Sequence, residues 1–270
     1  MYFLNLEVHA DYIQQFEHGM INWTNGEIFA SSIEAPDDKY QGQTISRTIA
    51  EQKSQSQAYH NLMSIVKEVQ INDILKVRDV IVSDAQIKEH IENIVNSSTV
   101  TKKEYLSDGT ISVILQLNMT GGFNQLFLPE EIKHIKTIKQ ITNPQEKKPS
   151  ENPKKYSGLV IDARGIKLIP SMMPKIISEN GEEVYGPEHV SREYVVQNGM
   201  CCFLDNFEDA IKHSRVADNP LIIRGIRTFD PALNHILISN AEASKLKSFS
   251  ECIDFLKKGK VIIVINSKMN

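Results

Sequence analysis

The residues best suited to chemistry are Asp162 and Arg164, which follow a short apolar run and precede a glycine. An acidic side chain at the end of a buried strand, beside an arginine, is a common position for a ligand or catalytic site in α/β proteins. The alternative interpretation is an ion pair or hydrogen bond between the two residues that fixes a sharp turn. Acid–base catalysis would need a second carboxylate, such as Glu182, Glu183 or Asp205, and spacing alone does not establish one.

The other nucleophilic and metal-binding side chains are scattered along the chain. The sequence has no glycine-rich phosphate loop, no dinucleotide-binding glycine pattern and no nucleophile-elbow motif. Its eight histidines never recur at the four-residue spacing of a helical metal site. Cys201, Cys202 and Cys252 are too few for a disulfide framework and lack a CxxC pair, so they are interpreted as small buried apolar residues. We therefore expect no metal site, no cofactor and no enzymatic activity.

Arginines are concentrated in the second half of the chain, at Arg192, Arg215, Arg224 and Arg227. Guanidinium groups can bind carboxylates bidentately across a protein interface, although arginines also occur as ordinary charges on strand faces. The single tryptophan, Trp23, is either part of the core or an exposed anchor for a partner. The candidates for an interaction surface are therefore Trp23, Arg192, Arg224 and Arg227.

Composition limits the functional classes. The 270 residues are 41% apolar and 24% charged, which is normal for a globular protein with a substantial core. The net charge of −4 argues against nucleic-acid binding. No run approaches the about 18 consecutive apolar residues of a membrane-spanning helix. The first residues show neither a signal peptide nor a lipobox cysteine, so a lipid anchor is not expected for this sequence.

The clearest boundary is a segment rich in proline and charge at 142–156, which is typical of a linker. With this linker as a boundary, we assign four parts to the chain. We predict an N-terminal arm at 1–20, an α+β domain at 21–141, the linker at 142–156, and a mixed α/β domain at 157–270.

Periodicity predicts an antiparallel sheet backed by two helices in the first half. The sequence indicates a turn at 23–26, a strand at 28–33, a helix at 44–69, a partly extended connection at 73–82, a helix capped by Ser83 or Asp84, a hairpin of strands 99–106 and 110–118 around Asp108 and Gly109, and a short helix beginning at Pro129.

The second half is richer in short strands and is predicted to be a mixed α/β domain. Extended segments are expected at 158–163, 174–178, 183–185, around 200–203 within 194–204, and at 221–226, 235–238 and 260–265, with an Asn180–Gly181 hairpin and helices that begin with capping boxes at Asp205 and Ser239. The overall fold class is therefore α+β.

The first half resembles the LPP20 lipoprotein family and the related N-terminal part of flagellar assembly protein T. The resemblance covers about residues 21–128 and rests on Trp23–Gly26, a strand ending at Ala30, a long helix with Ala50, Ala58, Tyr59, Asn61 and Leu62, the segment Val66–Val69, and Asp108–Thr110. The second half resembles a domain that follows the LPP20-like region in some bacterial envelope proteins, through Tyr156–Arg164, Pro174–Ile176, Val184–Gly186 and Ile238–Ala241.

This resemblance implies a helix-backed antiparallel sheet, a periplasmic or outer-membrane location, and a structural part in flagellar basal-body rings. It brings no catalytic residues. The expected function is therefore a non-enzymatic scaffold or assembly protein of the cell envelope, with envelope or flagellar ring proteins, or further copies of itself, as partners. Two alternatives stay open. One is a small-ligand-binding protein or enzyme that uses Asp162 and Arg164, and the other is a cytoplasmic adaptor, which the missing signal peptide favours.

Overall fold

A computed structural model describes residues 11–36, 44–128, 155–229 and 232–266. The chain contains both helices and strands, and the strands form three sheets, one of five strands and two of four. The fold class is α+β, as the sequence predicts. Within the described ranges, no helix is both long and apolar enough to cross a membrane.

The first sheet is antiparallel throughout, with the order β1-β2-β3-β5-β4. Its strands are β1 (Ile13–Phe16), β2 (Gly19–Asn22), β3 (Glu27–Glu34), β4 (Thr99–Tyr105) and β5 (Ile111–Asn118). The helices of this half are α1 (Thr44–Glu68), α2 (Val77–Ser83), α3 (Ala85–Asn96) and α4 (Gly122–Phe127).

Helix α1 covers one face of this sheet because its apolar residues recur at three- and four-residue spacing. Ala58, Leu62 and Val66 are fully buried, as is Ile28 on β3. Ser54 is also fully buried and donates a hydrogen bond to the carbonyl of Ile111, so the helix is joined to the sheet by polar as well as apolar contacts.

Three predictions for the first half need correction. Strands β1 and β2 lie partly within the 1–20 range that we assigned to an arm, and both belong to the sheet. Helix α2 replaces the extended connection predicted at 73–82. The β-branched residues there favour strands, but Val77 is fully buried and the Asp79 carboxylate accepts a hydrogen bond from the Lys76 amide, so packing and capping override propensity. Helix α4 lies between the hairpin and Pro129, where no helix was predicted.

The second half contains a parallel sheet with the order β10-β6-β13-β9 and a mixed sheet with the order β11-β12-β7-β8. The strands are β6 (Leu159–Asp162), β7 (Lys175–Ser178), β8 (Glu183–Tyr185), β9 (Cys202–Leu204), β10 (Leu221–Arg224), β11 (Arg227–Phe229), β12 (Ala232–Ile238) and β13 (Val261–Val264). The helices are α5 (Arg192–Asn198), α6 (Phe207–Lys212), α7 (Asn240–Ser248) and α8 (Ser250–Lys257).

Strands β6, β9 and β13 of the parallel sheet are buried on both faces, which explains their nearly continuous apolar sequences, whereas residues of β10 are alternately buried and exposed. Val160 and Ile262 belong to a small cluster that includes Ala210 of α6. Ile161 and Ile263 face the main core on the opposite side.

The extended segment predicted around residues 200–203 is confirmed as β9, but helix α5, which precedes it, was not predicted. One prediction for the second half is wrong in detail. Helix α6 is capped by Asn206, whose side-chain oxygen accepts hydrogen bonds from the amides of Glu208 and Asp209, and not by Asp205. The capping box of Ser239 and Glu242 is confirmed at α7.

The hairpins predicted at Asp108–Gly109 and Asn180–Gly181 are confirmed. The linker prediction lies outside the described residues except for its last two positions, 155–156. The short helix predicted from Pro129 lies wholly outside them.

The two halves are joined by direct hydrogen bonds and a shared core. The Gly121 amide donates to the Val196 carbonyl at 2.6 Å, and the Met172 amide donates to the Gln70 carbonyl at 3.0 Å. One apolar cluster includes buried residues of both halves, among them Trp23. The interface therefore positions the halves relative to each other.

Candidate functional site

The Asp162–Arg164 pair is a bidentate ion pair within one turn. Asp162 ends β6, and its two carboxylate oxygens accept hydrogen bonds from Arg164 Nε at 2.8 Å and Nη2 at 2.7 Å. The Arg164 amide donates to the same carboxylate at 3.2 Å. The guanidinium also lies over the Phe207 ring, 4.8 Å from its centre. Both oxygens of Asp162 are therefore used to fix the turn.

The electrostatics agree with this structural role. The hydrogen bonds from Arg164 hold the pKa of Asp162 below its ordinary value, and the charge of Arg224 lowers it further. Two of the carboxylates that could have completed an acid–base pair are engaged elsewhere, because Glu183 pairs with Lys175 and Glu182 with Lys247.

A cleft of about 360 Å³ lies where the two halves meet. Its walls come from the turn at 23–26, the segment before α4, the end of α5 and Arg215. Neither Asp162 nor Arg164 lines it.

Arg215 and Trp23 have structural contacts in this cleft. The Arg215 guanidinium donates to the carbonyl oxygens of Asn198, Gly199 and Gly259 at 2.7–2.8 Å, so it caps the end of α5. Trp23 is 5% exposed and donates from Nε1 to Gln14 at 3.0 Å. The structure places Trp23 in the core and not on an exposed surface.

The cysteine thiols are also unsuited to nucleophilic chemistry. Burial raises the pKa of Cys202 to about 11 and raises the pKa of Cys201 as well, so both thiols stay protonated near neutral pH. All three cysteines are free. In the part of the chain that the structure describes, no group of three or more His, Cys, Asp or Glu side chains could hold a metal ion.

The three candidate arginines occupy different environments. Arg192 begins α5, and its Nη1 is buried with no hydrogen-bond partner among the described residues. Arg224 and Arg227 are exposed and lie close together in the chain, on β10 and β11. The structure thus leaves two of the three candidates exposed, on consecutive terminal strands.

We call residues 221–229 the open edge. They form β10, the terminal strand of the parallel sheet, and β11, the terminal strand of the mixed sheet, joined by two residues. Large apolar side chains are exposed along this edge: Ile222 (49%), Ile226 (48%) and Phe229 (39%). Exposed apolar and cationic side chains therefore alternate along an edge with which no described strand pairs on its outer side.

Gly225 allows the chain to pass from one sheet to the next. A Cβ atom at this position would lie 2.8 Å from Ile166 and 2.9 Å from Ile236. A larger residue at this position would require the Ile166 and Ile236 side chains to shift, so the glycine allows close packing where the chain passes between the sheets.

Sequence reasoning identified the two arginines of this edge but missed its apolar side chains. The segment 221–226 was interpreted as a strand, and its apolar residues were not considered as a surface. The available signal was the alternation of isoleucine and phenylalanine with arginine over nine residues.

The fold and these sites define an α+β protein of two packed halves in which the candidate catalytic groups of the described residues have structural contacts. Residues 158–267, nearly the whole second half, match the family described as Treponema pallidum Tp0624, second domain. No curated protein matches the chain. The resemblance of the first half to the LPP20 family stays a prediction.

Proposed function

We propose that this protein is a non-enzymatic assembly protein of a bacterial cell envelope, located in the periplasm or at the outer membrane. Its partners are envelope proteins, including components of flagellar basal-body rings. The observation that carries the proposal is the open edge, where two terminal strands expose three large apolar side chains and two arginines. Exposed strand edges with this composition are a recurrent means of protein association.

The state of the candidate catalytic groups supports a binding role over a catalytic one. Asp162 is held in its own turn by Arg164, and the thiols of Cys201 and Cys202 are held protonated by burial. Arg215 donates to three carbonyl oxygens. These groups stabilise the fold, whereas the exposed apolar side chains and arginines of the open edge are available to a partner.

The envelope location rests on the resemblance of the first half to the LPP20 family. That resemblance implies a helix-backed antiparallel sheet, and the five-stranded sheet packed on α1 has this architecture. The match of the second half to a Tp0624 domain adds a bacterial relative but does not name a function.

Cell fractionation tests this proposal. The gene is expressed from its native locus with all upstream sequence retained, and the protein is followed through cytoplasmic, periplasmic and outer-membrane fractions. We expect recovery in the periplasm or outer membrane, and reduced motility or envelope integrity when the gene is deleted. Recovery in the cytoplasm alone, with both phenotypes unchanged, would contradict the proposal and favour the adaptor alternative.

A further inference from the structure

We propose that the open edge binds an extended segment of another protein that is rich in acidic and apolar residues, and that this segment adds a strand to the sheet. The inference names the partner chemistry of the surface on which the proposed function depends. This inference depends on the proposed function only for the cellular compartment in which the binding takes place.

The main-chain geometry of β10 suits the addition of a further strand. The Leu221 amide donates to Gly158 and the Gly225 amide donates to Asp162, so these residues face β6. In a parallel ladder, alternate residues point their N–H and C=O groups to opposite sides. The main-chain groups of Ile222 and Arg224 therefore point away from the sheet, where an added strand would bind them.

The side chains of the edge indicate what the added strand carries. Ile222 and Arg224 lie two residues apart on β10, so they share one face. Ile226, between the two strands, and Phe229, at the end of β11, are further exposed apolar side chains of this edge. An extended segment that alternates apolar and polar residues would cover the apolar side chains and place its polar groups near the arginines.

The arginines indicate that these polar groups are acidic. Among the contacts of the described residues, Arg224 donates no hydrogen bond, because the nearby Asp162 is already paired with Arg164. Arg227 uses only Nη1, on the Thr228 carbonyl at 3.2 Å. Guanidinium groups with free donors bind carboxylates strongly, often bidentately.

Charge also disfavours a second copy of this chain as the added strand. A parallel pairing of two identical edges places each arginine opposite itself. An antiparallel pairing centred between Gly225 and Ile226 places Arg224 opposite Arg227. Like charges directly across two strands are destabilising, so an acidic segment of a different protein fits better.

Strand β4, an exposed terminal strand of the five-stranded sheet, lacks these features. All seven of its residues are exposed, but Lys102 pairs with Glu104 at 2.8 Å and Lys103 pairs with Glu51. The ladder between β4 and β5 also shifts register between Val100 and Lys102. Paired charges and such irregularities are devices that protect an edge from pairing. Strand β4 therefore offers a matched control.

Fluorescence anisotropy with defined peptides tests the inference on the full chain. The probe is a capped, labelled peptide of about nine residues in which glutamate and valine alternate, a length that matches the edge. A peptide in which lysine and valine alternate is the charge control, and phosphatidylglycerol vesicles test whether the surface binds anionic lipid instead. We expect binding of the glutamate peptide alone.

Charge reversal tests the role of the arginines. We expect R224E/R227E to weaken binding of the glutamate peptide by about tenfold or more and to create binding of the lysine peptide. The control K88E/K102E changes the net charge equally, on exposed lysines of the first half, and leaves binding unchanged. Circular dichroism checks that each variant is folded.

A second pair of variants tests the main-chain hydrogen bonds. Ile222→Pro removes an outward N–H that β6 does not use, whereas Ile222→Ala removes only the side chain. Proline is tolerated on terminal strands where the N–H faces outward. We expect the proline variant to bind the glutamate peptide more weakly than the alanine variant.

Equal binding of both peptides, R224E/R227E binding like the parent protein, or binding of vesicles but of neither peptide would overturn this inference. These results leave the envelope proposal standing when fractionation supports it. Cytoplasmic recovery with intact peptide binding would instead overturn the envelope proposal and retain the strand-addition surface.

Discussion

The two edges of the parallel sheet differ in whether another described segment of the chain pairs with them. At the β9 edge, Asp11 forms a bridge with Leu204, and the Phe203 amide donates to the Trp23 carbonyl at 3.4 Å. The first half of the chain thus covers this edge with its own extended backbone. At the β10 edge, no strand of the described residues pairs on the outer side.

The side chains at the two edges differ in exposure to solvent. Trp23 and Phe203 at the covered edge are 5% and 1% exposed, and their rings pack edge to face at 6.0 Å. Ile222 at the open edge is 49% exposed. The parallel sheet thus accepts added backbone at its β9 edge for internal stability, and its β10 edge is the one at which we propose that a partner binds.

The largest expected effect concerns the covered edge. Trp23→Ala removes a buried indole and its hydrogen bond to Gln14, so we expect it to lower the free energy of unfolding by about 3–5 kcal/mol. Ile222→Ala, at the open edge, should cost less than about 1 kcal/mol. Urea unfolding of both variants measures the difference, and equal costs would break the comparison.

The next effect concerns the turn that follows β6. Asp162→Asn replaces a bidentate ion pair with a neutral amide, so we expect a loss of about 1 kcal/mol in the free energy of unfolding. The lowered pKa of Asp162 means that its contribution is present above pH 3.8 and is lost as the pH falls through the folded-state value. A folded D162N variant with unchanged stability, but with lost binding of a small ligand, would favour the ligand-site alternative.

Acidification tests the junction between the halves. Burial lowers the pKa of His213 and His235 below 6.5, and His235 lies 3.8 Å from Asp73 of the first half. The folded protein therefore binds fewer protons than the unfolded chain, so stability rises with pH. The stability that depends on neutral His213 and His235 is present above pH 6.5, and it is lost as the pH falls through the lowered folded-state pKa values of these two residues.

We expect the thermal midpoint to decrease as the pH is lowered from about 7.5 to about 5, a window that contains the ordinary histidine pKa. The double variant H213N/H235N should weaken this dependence. A profile that is flat in the parent protein over this window would contradict the assignment.

The smallest expected effect on stability is at the open edge. Arg224 and Arg227 are exposed, so R224E/R227E should change the free energy of unfolding by less than about 0.5 kcal/mol. Urea unfolding measures it. A loss well above 1 kcal/mol would mean that these arginines serve the fold, and the contrast between the two edges would lose its functional meaning.

Local signals made much of the fold predictable. The Asp108–Gly109 and Asn180–Gly181 turns, the long α1 pattern and the capping box at Ser239 each depend on neighbouring residues alone. Helices α2 and α5 were missed because their short, β-branched sequences are helical only in their packed setting, with Val77 and Val195 buried.

The sites were less predictable for a related reason. Residue type was enough to select Arg224 and Arg227, and the turn-fixing interpretation of Asp162 and Arg164 was one of two possibilities. Whether Ile222 lies on a central or a terminal strand depends on the sheet order, which long crossover connections determine. The sequence of a single apolar run contains no information about the order of strands in the sheet.

The most direct test of the central claim combines fractionation with sedimentation. The parent protein and R224E/R227E, each expressed from the native locus with all upstream sequence, are extracted from the envelope fraction and sedimented on a gradient. We predict that both reach the envelope and that the parent protein alone sediments in a large complex. Recovery of both proteins only in the cytoplasm, or identical sedimentation of the two, would contradict the account.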